Sequence, residues 1–450
     1  MRNNLYTPTD IFAVARNEAE VDNLLNTDIY KFMMLDFILT KPEYKDIVVR
    51  WKMTVRSKDV KTANVIPKES LIEQLEFTKS IKGISEADAS YLRGMTRPDG
   101  QRLFREETIE FLKNFRLPEY KIGVDETDNY ELEFTGPWST SILWEIYGLK
   151  IINSLYLYHY TKKEKLTNVE FNQIINETLN RLYKDIGIFK ETPELTFSEF
   201  GTRRSVSTDF QRMVFDILSS SLPNQCLGTS NVMLSREFGL ANPRGTNAHE
   251  LRMIPTALYD DKEKIVETMY DIDRQWANHF PGLSILLPDT YGSSFYFKNA
   301  PKDIIQNHNG CRFDSKDPLI AIPEYVDFLL KNNIDPKTKI GIPSDGLDAI
   351  NSRKIYETQS QKLGKLTFGI GTNLTNNTKG TWPRKNENLG PFGSFSVVVK
   401  PSEIQRPDGK WVSCVKLSDN FTKATGEKNR VQFFKEIFGE SGVEKKEVFV

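Results

Sequence analysis

From residue 195 onward the chain repeats one pattern. A short apolar run ends in a cluster of Gly, Thr, Ser, Asp and Arg, and a helical stretch usually follows. The runs are LTFSEF before GTRRS, QCL before GTSN, LSILL before PDTYGS, the Gly310 region before CRFDSKDP, KIGI before PSDGL and KLTF before GIGTN. Apolar residues at helical spacing mark residues 207–218, 262–280, 322–331 and 349–361 between them. Repeated strand–polar tip–helix units predict a parallel sheet with right-handed crossovers. Six polar tips on one side predict a closed or nearly closed barrel, with its site at the C-terminal ends of the strands. No GxGxxG follows the first strand, so the pattern is not that of a dinucleotide-binding fold.

The two ends of the chain read differently. Residues 24–39 are apolar at helical spacing behind Asn26, Thr27 and Asp28, which suit a cap and first turn. Residues 47–56 and 130–135 alternate as half-buried strands. Residues 141–160 form a strongly apolar helix. Residues 169–188 form an amphipathic one, with Phe171, Ile174, Ile175, Leu179, Leu182, Tyr183 and Ile186 on its stripe. Near the end, 394–400 and 410–417 flank Pro407-Asp408-Gly409 as a hairpin. The expected fold is α/β: an irregular α/β barrel with an α/β sandwich built from both termini. The expected segments are 1–150, 151–375 for the barrel, and 376–450 returning to the first.

Composition narrows the chemistry. The 450 residues are 39% apolar and 27% charged, with a net charge of −1, which suits a soluble protein and offers no footprint for nucleic acid or an anionic membrane. The three cysteines make no CxxC pair, so neither a disulfide framework nor a Cys/His zinc site is expected. No signal core opens the sequence and no apolar run is long enough to span a bilayer. A reducing cytoplasm is the expected setting.

The tips carry the candidate site. Arg203 and Arg204 follow Gly201-Thr202 and suit either an anion clamp or a surface ion pair. Thr229 and Ser230 follow Gly228, and His249 stands just after a second Gly-Thr pair, Gly245-Thr246. Such a histidine suits an acid, a base or a phosphate acceptor, or else a buried structural role. Asp289 and Thr290 close the third unit, Arg312 and Asp314 the fourth. Asp314 and Asp317 suit sugar hydroxyls or magnesium, or an Asx-turn and a helix cap. Ser344, Asp345 and Gly346, then Gly369, Gly371 and Thr372, end the last two units, where barrels often hold a phosphate. A phosphosugar or nucleotide ligand follows.

Nine stretches appear in an order that resembles nicotinate phosphoribosyltransferases: LLNTDIYKFMM, GPWSTSILWEI, FGTRRSVS, LGTSNV, GTNAHE, DTYG, RFDSKDP, SDGLD and FGIGTNLTN. The resemblance implies a type II phosphoribosyltransferase, commonly a homodimer. Such an enzyme joins nicotinate and phosphoribosyl pyrophosphate to give nicotinate mononucleotide and pyrophosphate. It implies ATP hydrolysis coupled through a phosphohistidine at His249, and Mg2+ held mainly through substrate phosphates. It implies Tyr30 stacking on the pyridine ring, Arg204 or Arg312 facing the nicotinate carboxylate, and Ser344, Gly346, Gly369, Gly371 and Thr372 at the 5′-phosphate. Glu250, next to His249 in sequence, is a candidate to orient the imidazole.

The chain departs from the family pattern in three places. Ser205 stands where a third arginine is usual, and RHDSGDP reads RFDSKDP, with Phe313 and Lys316. Lys316 either changes that turn or adds a cation beside the phosphates. Three other readings are kept: a same-fold enzyme preferring nicotinamide, a catalytically weak nucleotide sensor or scaffold, and an unrelated barrel using Lys316 for a Schiff base.

Overall fold

The computed structural model of the chain describes residues 5–384 and 392–439. Residues 1–4, 385–391 and 440–450 of the first and last predicted segments lie outside them. Strands β1 (Val48–Val55), β2 (Tyr120–Val124) and β3 (Tyr130–Pro137) precede two long helices, Trp144–Lys163 and Asn168–Lys190. Then come β4 (Thr196–Glu199), β5 (Cys226–Thr229), β6 (Ile285–Leu286), β7 (Gly310–Phe313), β8 (Ile340–Pro343) and β9 (Lys365–Ile370). β10 (Val397–Gln405), β11 (Trp411–Ser413) and helix Lys428–Phe438 follow.

The first sheet is antiparallel, in the order β11-β10-β1-β3-β2. β10 lies directly on β1, with Val55 opposite Val397 and Val48 opposite Gln405. The two ends of the chain therefore share one layer, as the alternation at both ends predicts. Val49, Trp51 and Met53 of β1 and Tyr130, Leu132 and Phe134 of β3 point into the core. Helix Trp144–Lys163 packs on that face: Trp144 stacks on Phe134 with centroids 4.6 Å apart. Most of its side chains are buried, and it shows no amphipathic stripe because it has almost no solvent side. β2 escapes sequence reading because it is a largely exposed edge strand with a glycine in the middle.

The second sheet is parallel, in the order β5-β4-β9-β8-β7-β6. It is rolled but not hydrogen-bonded shut, since β5 and β6 do not pair. The extended chain before His249 bridges that gap. Arg244 N–H donates to the Thr229 carbonyl of β5 at 2.8 Å, and the Asn247 side-chain amide donates to the Ile285 carbonyl of β6 at 3.3 Å. The barrel is irregular, and the irregular stave is the segment that carries the histidine.

Helix Ile29–Leu39 starts behind Asp28 as its N-cap, where Asn26, Thr27 and Asp28 predict a cap, and Asp28 also forms an isolated bridge to Asn231. Two expectations change in detail. The helix at 141–160 is divided, Trp138–Ser141 then Trp144–Lys163. Tyr183, expected on the buried stripe, is 42% exposed. It lies one residue beyond Leu182, and 100° of helical rotation carries it off the stripe. Among the described residues no helix is long and apolar enough to cross a membrane.

Candidate active site

The polar tips converge on a cleft of about 260 Å³. Tyr30, Arg203, Arg204, Ser230, His249, Arg312, Asp314, Ser344, Asp345, Gly346, Gly371 and Thr372 all line it. A larger, more open cleft of about 1520 Å³ runs along β1, β10 and β11 and shares Arg56 and Lys400 with it. No histidine and none of the barrel tips lines that larger cleft, so the chemistry belongs to the smaller one.

His249 stands at the start of helix Glu250–Thr256 and is buried. Its Nδ1 lies 3.0 Å from Thr290 Oγ1. Its Nε2 lies 3.0 Å from Asp314 Oδ2 and 2.8 Å from Lys416 Nζ. Burial and the Lys416 ammonium push the imidazole down to about 4, so it is neutral at physiological pH. Burial acts to raise the Asp314 carboxyl, but Arg312, His249 and Lys416 outweigh it and hold it well below the carboxylate range. The Arg312 guanidinium is largely engaged, donating to Asp314 Oδ1 (2.8 Å), Thr246 Oγ1 (3.1 Å) and the Asn247 carbonyl (3.0 Å). Arg204 donates only to the Val397 carbonyl and, like Arg56, has no ion pair among the described residues, so both guanidiniums are open to a ligand anion.

Five predicted residues do not line the cleft. Thr229 donates to Glu199 at 2.6 Å, Asp289 accepts from Ser315 at 2.6 Å, and Thr290 braces His249 from behind. Gly369 is a packing glycine: a Cβ there would lie 2.4 Å from the Phe200 ring. Glu250 is the correction. Its carboxylate turns away from the imidazole to accept from Lys31 at 2.6 and 2.8 Å. Successive residues on a helix diverge by about 100°, so sequence adjacency did not put it at the ring. Of the paired acids, Asp314 faces the cleft while Asp317 caps helix Pro318–Lys331, accepting from Leu319 N–H. Lys316 is also outside. It is buried against Glu324 at 2.6 Å and Ser294 at 3.3 Å, which removes the basis for a Schiff base or a phosphate contact. Its backbone is not in the left-handed region, so the turn has accommodated the side chain. Phe313 packs edge-on against Tyr325. Ser205, in place of the arginine, buries a hydroxyl with no partner among the described residues.

Sequence reading missed a cationic rim and a buried network. Lys400, Lys416 and Lys423 line the cleft from the C-terminal segments, and Lys423 pairs with Asp345. In sequence Lys400 ends an apolar run and Lys416 lies near the end of another, so both look like solvent-facing strand positions, and Lys423 sits in a polar stretch with no signal of its own. Glu145 left a readable trace, a charge inside an apolar helix. It lies 2.5 Å from Lys31 Nζ, 3.0 Å from Lys400 Nζ and 3.8 Å from Arg203 Nη1.

His249, Asp289 and Asp314 bring ligand atoms within 4.8 Å of one another. The Lys416 ammonium already lies among them, 3.8 Å from Asp289 Oδ2. That does not suit a resident divalent ion at this cluster.

A family model described as the nicotinate phosphoribosyltransferase (NAPRTase) family matches residues 195–441, and one for that family's N-terminal domain matches residues 25–153. A crystal structure of nicotinate phosphoribosyltransferase from Porphyromonas gingivalis is 26% identical, with a TM-score of 0.77, over 93% of this chain and 100% of that one. One from Vibrio cholerae is 25% identical, with a TM-score of 0.79, over 95% of each chain. The matches extend across the site and the frame that holds it, and the chain belongs to the nicotinate phosphoribosyltransferase family of enzymes.

Proposed function

We propose that the enzyme joins nicotinate and phosphoribosyl pyrophosphate, and that ATP hydrolysis drives the reaction through a phosphoryl group carried on His249. The observation that carries this reading is a neutral histidine in the wall of a cleft rich in arginine, lysine, glycine and hydroxyl groups. As pyrophosphate leaves the ribose, a cationic centre develops at C1. The pyridine nitrogen has a free lone pair, so the work is positioning and charge stabilisation rather than base catalysis. Arg204 faces the nicotinate carboxylate and is preferred to Arg312, most of whose donors are taken by the protein. Tyr30 offers its ring to the pyridine, with a buried hydroxyl that has no partner among the described residues. Ser344, Gly346, Gly371 and Thr372 hold the 5′-phosphate, Arg203 and the rim lysines face pyrophosphate, and Mg2+ enters with the phosphates. Ser344 already donates to Asp314 at 2.9 Å, which ties the phosphate tip to the histidine. The reading goes with a cytoplasmic homodimer.

Incubation with γ-labelled ATP tests it. Wild type should take acid-labile label, and His249→Ala none while retaining slow nucleotide synthesis. Label persisting in that variant would remove His249 from the role.

A further inference from the structure

The Nε2 atom of His249 has two neighbours that ask opposite things of it. Asp314 Oδ2, at 3.0 Å, needs a proton on Nε2. Lys416 Nζ, at 2.8 Å, needs a lone pair there, because an ammonium only donates. An imidazole nitrogen can satisfy one of them. Thr290 Oγ1, at 3.0 Å from Nδ1, accepts or donates equally well and does not decide the matter.

The surroundings decide for the lysine. Asp314 has other partners besides the imidazole: its Oδ1 accepts from Arg312 at 2.8 Å and Ser344 at 2.9 Å. Lys416 is buried, and among the described residues the side-chain carboxylate nearest it is at the margin, Asp289 Oδ2 at 3.8 Å, so Nε2 is its close acceptor. A proton on Nε2 would face the ammonium hydrogens at contact distance. The lysine cannot easily withdraw, because Leu417 N–H donates to the Thr290 carbonyl at 2.9 Å and Lys416 N–H to the Thr425 carbonyl at 3.1 Å. The segment that delivers Lys416 is thus bonded to the residue that braces Nδ1.

We propose that Lys416 is a positioning residue that sets the tautomer of His249, holding the proton on Nδ1 against Thr290 and presenting the Nε2 lone pair to the cleft. The consequence for chemistry rests on the proposed phosphohistidine. Nε2 attacks the γ-phosphorus of ATP, the Nε2–P bond forms, the bond to the β–γ bridging oxygen breaks, and its electron pair leaves on ADP. Nδ1 keeps its proton throughout, and Lys416, displaced from the lone pair, meets the arriving phosphoryl oxygens.

Nitrogen-15 NMR of the full-length protein labelled at histidine tests the inference directly, since the two ring nitrogens of a neutral imidazole are distinguishable and the chain has four histidines. Wild type should show His249 protonated on Nδ1. Lys416→Met should move the proton to Nε2, against Asp314, and Lys416→Arg should leave it on Nδ1. The signals of His159, His279 and His308 report whether each variant is folded. Wild type protonated on Nε2, or a folded Lys416→Met protein still protonated on Nδ1, overturns the proposal. Labelling by ATP should slow by roughly tenfold or more in Lys416→Met and recover in Lys416→Arg, the loss of one charge-assisted hydrogen bond. If no protein takes label but the tautomers shift as stated, the positioning stands and the phosphohistidine reading falls.

Discussion

Glu250 offers a quantitative test of the buried network beneath the cleft. Its carboxyl and that of Glu145 both meet the Lys31 ammonium, and all three side chains are shut off from solvent. Burial lifts Glu250 from an ordinary 4.5 to about 8, with Glu145 adding to the rise and Lys31 opposing it. Between those two pH values the folded chain keeps a proton that the unfolded chain releases. Stability from this group is therefore full below about 4.5 and is lost as pH rises toward 8. The slope is roughly 1.4 kcal/mol per pH unit, or about 3 kcal/mol between pH 5.5 and 7.5. Glu250→Gln imitates the protonated acid and cannot ionise. It should match wild type within about 1 kcal/mol near pH 5.5 and be the more stable protein at pH 7.5. Urea unfolding followed by tryptophan fluorescence reads the difference between the two proteins, so other buried acids such as Glu20 and Asp419 cancel. Parallel profiles across this range would refute the shared-proton account. So would a large loss at pH 5.5, because it would mean that Glu250 is ionised there and needed as an anion.

Two other predictions bear on the departures and the barrel frame. Lys316→Met should leave KM for phosphoribosyl pyrophosphate within about twofold while lowering stability by about 1–3 kcal/mol, because Nζ is spent on Glu324; a KM raised roughly tenfold would place the lysine at the phosphates. Gly369→Ala should lower stability by roughly 1–3 kcal/mol or more, because its Cβ meets the Phe200 ring and β9 must shift; a thermal transition matching wild type would contradict that packing.

Much of this protein is written locally. The period-two alternation at 47–56 and 130–135, the turn at Pro407-Asp408-Gly409 and the six apolar runs ending in polar tips are properties of short stretches, and each formed the expected element. The tip residues converged because strands of a parallel sheet all end on one side, so naming the strand ends amounted to naming the barrel side of the cleft. What tertiary structure decided is where charges meet. Glu250 is next to His249 in sequence and serves Lys31, 219 positions away, whereas Lys416 is 167 positions from His249 and touches its Nε2. Helical rotation separates neighbours, and folding β10 onto β1 carries the C-terminal segments back over the barrel mouth. Periodicity records which face of an element is buried; it holds no information about which distant charge is buried against that face, and that pairing determines the state of the histidine.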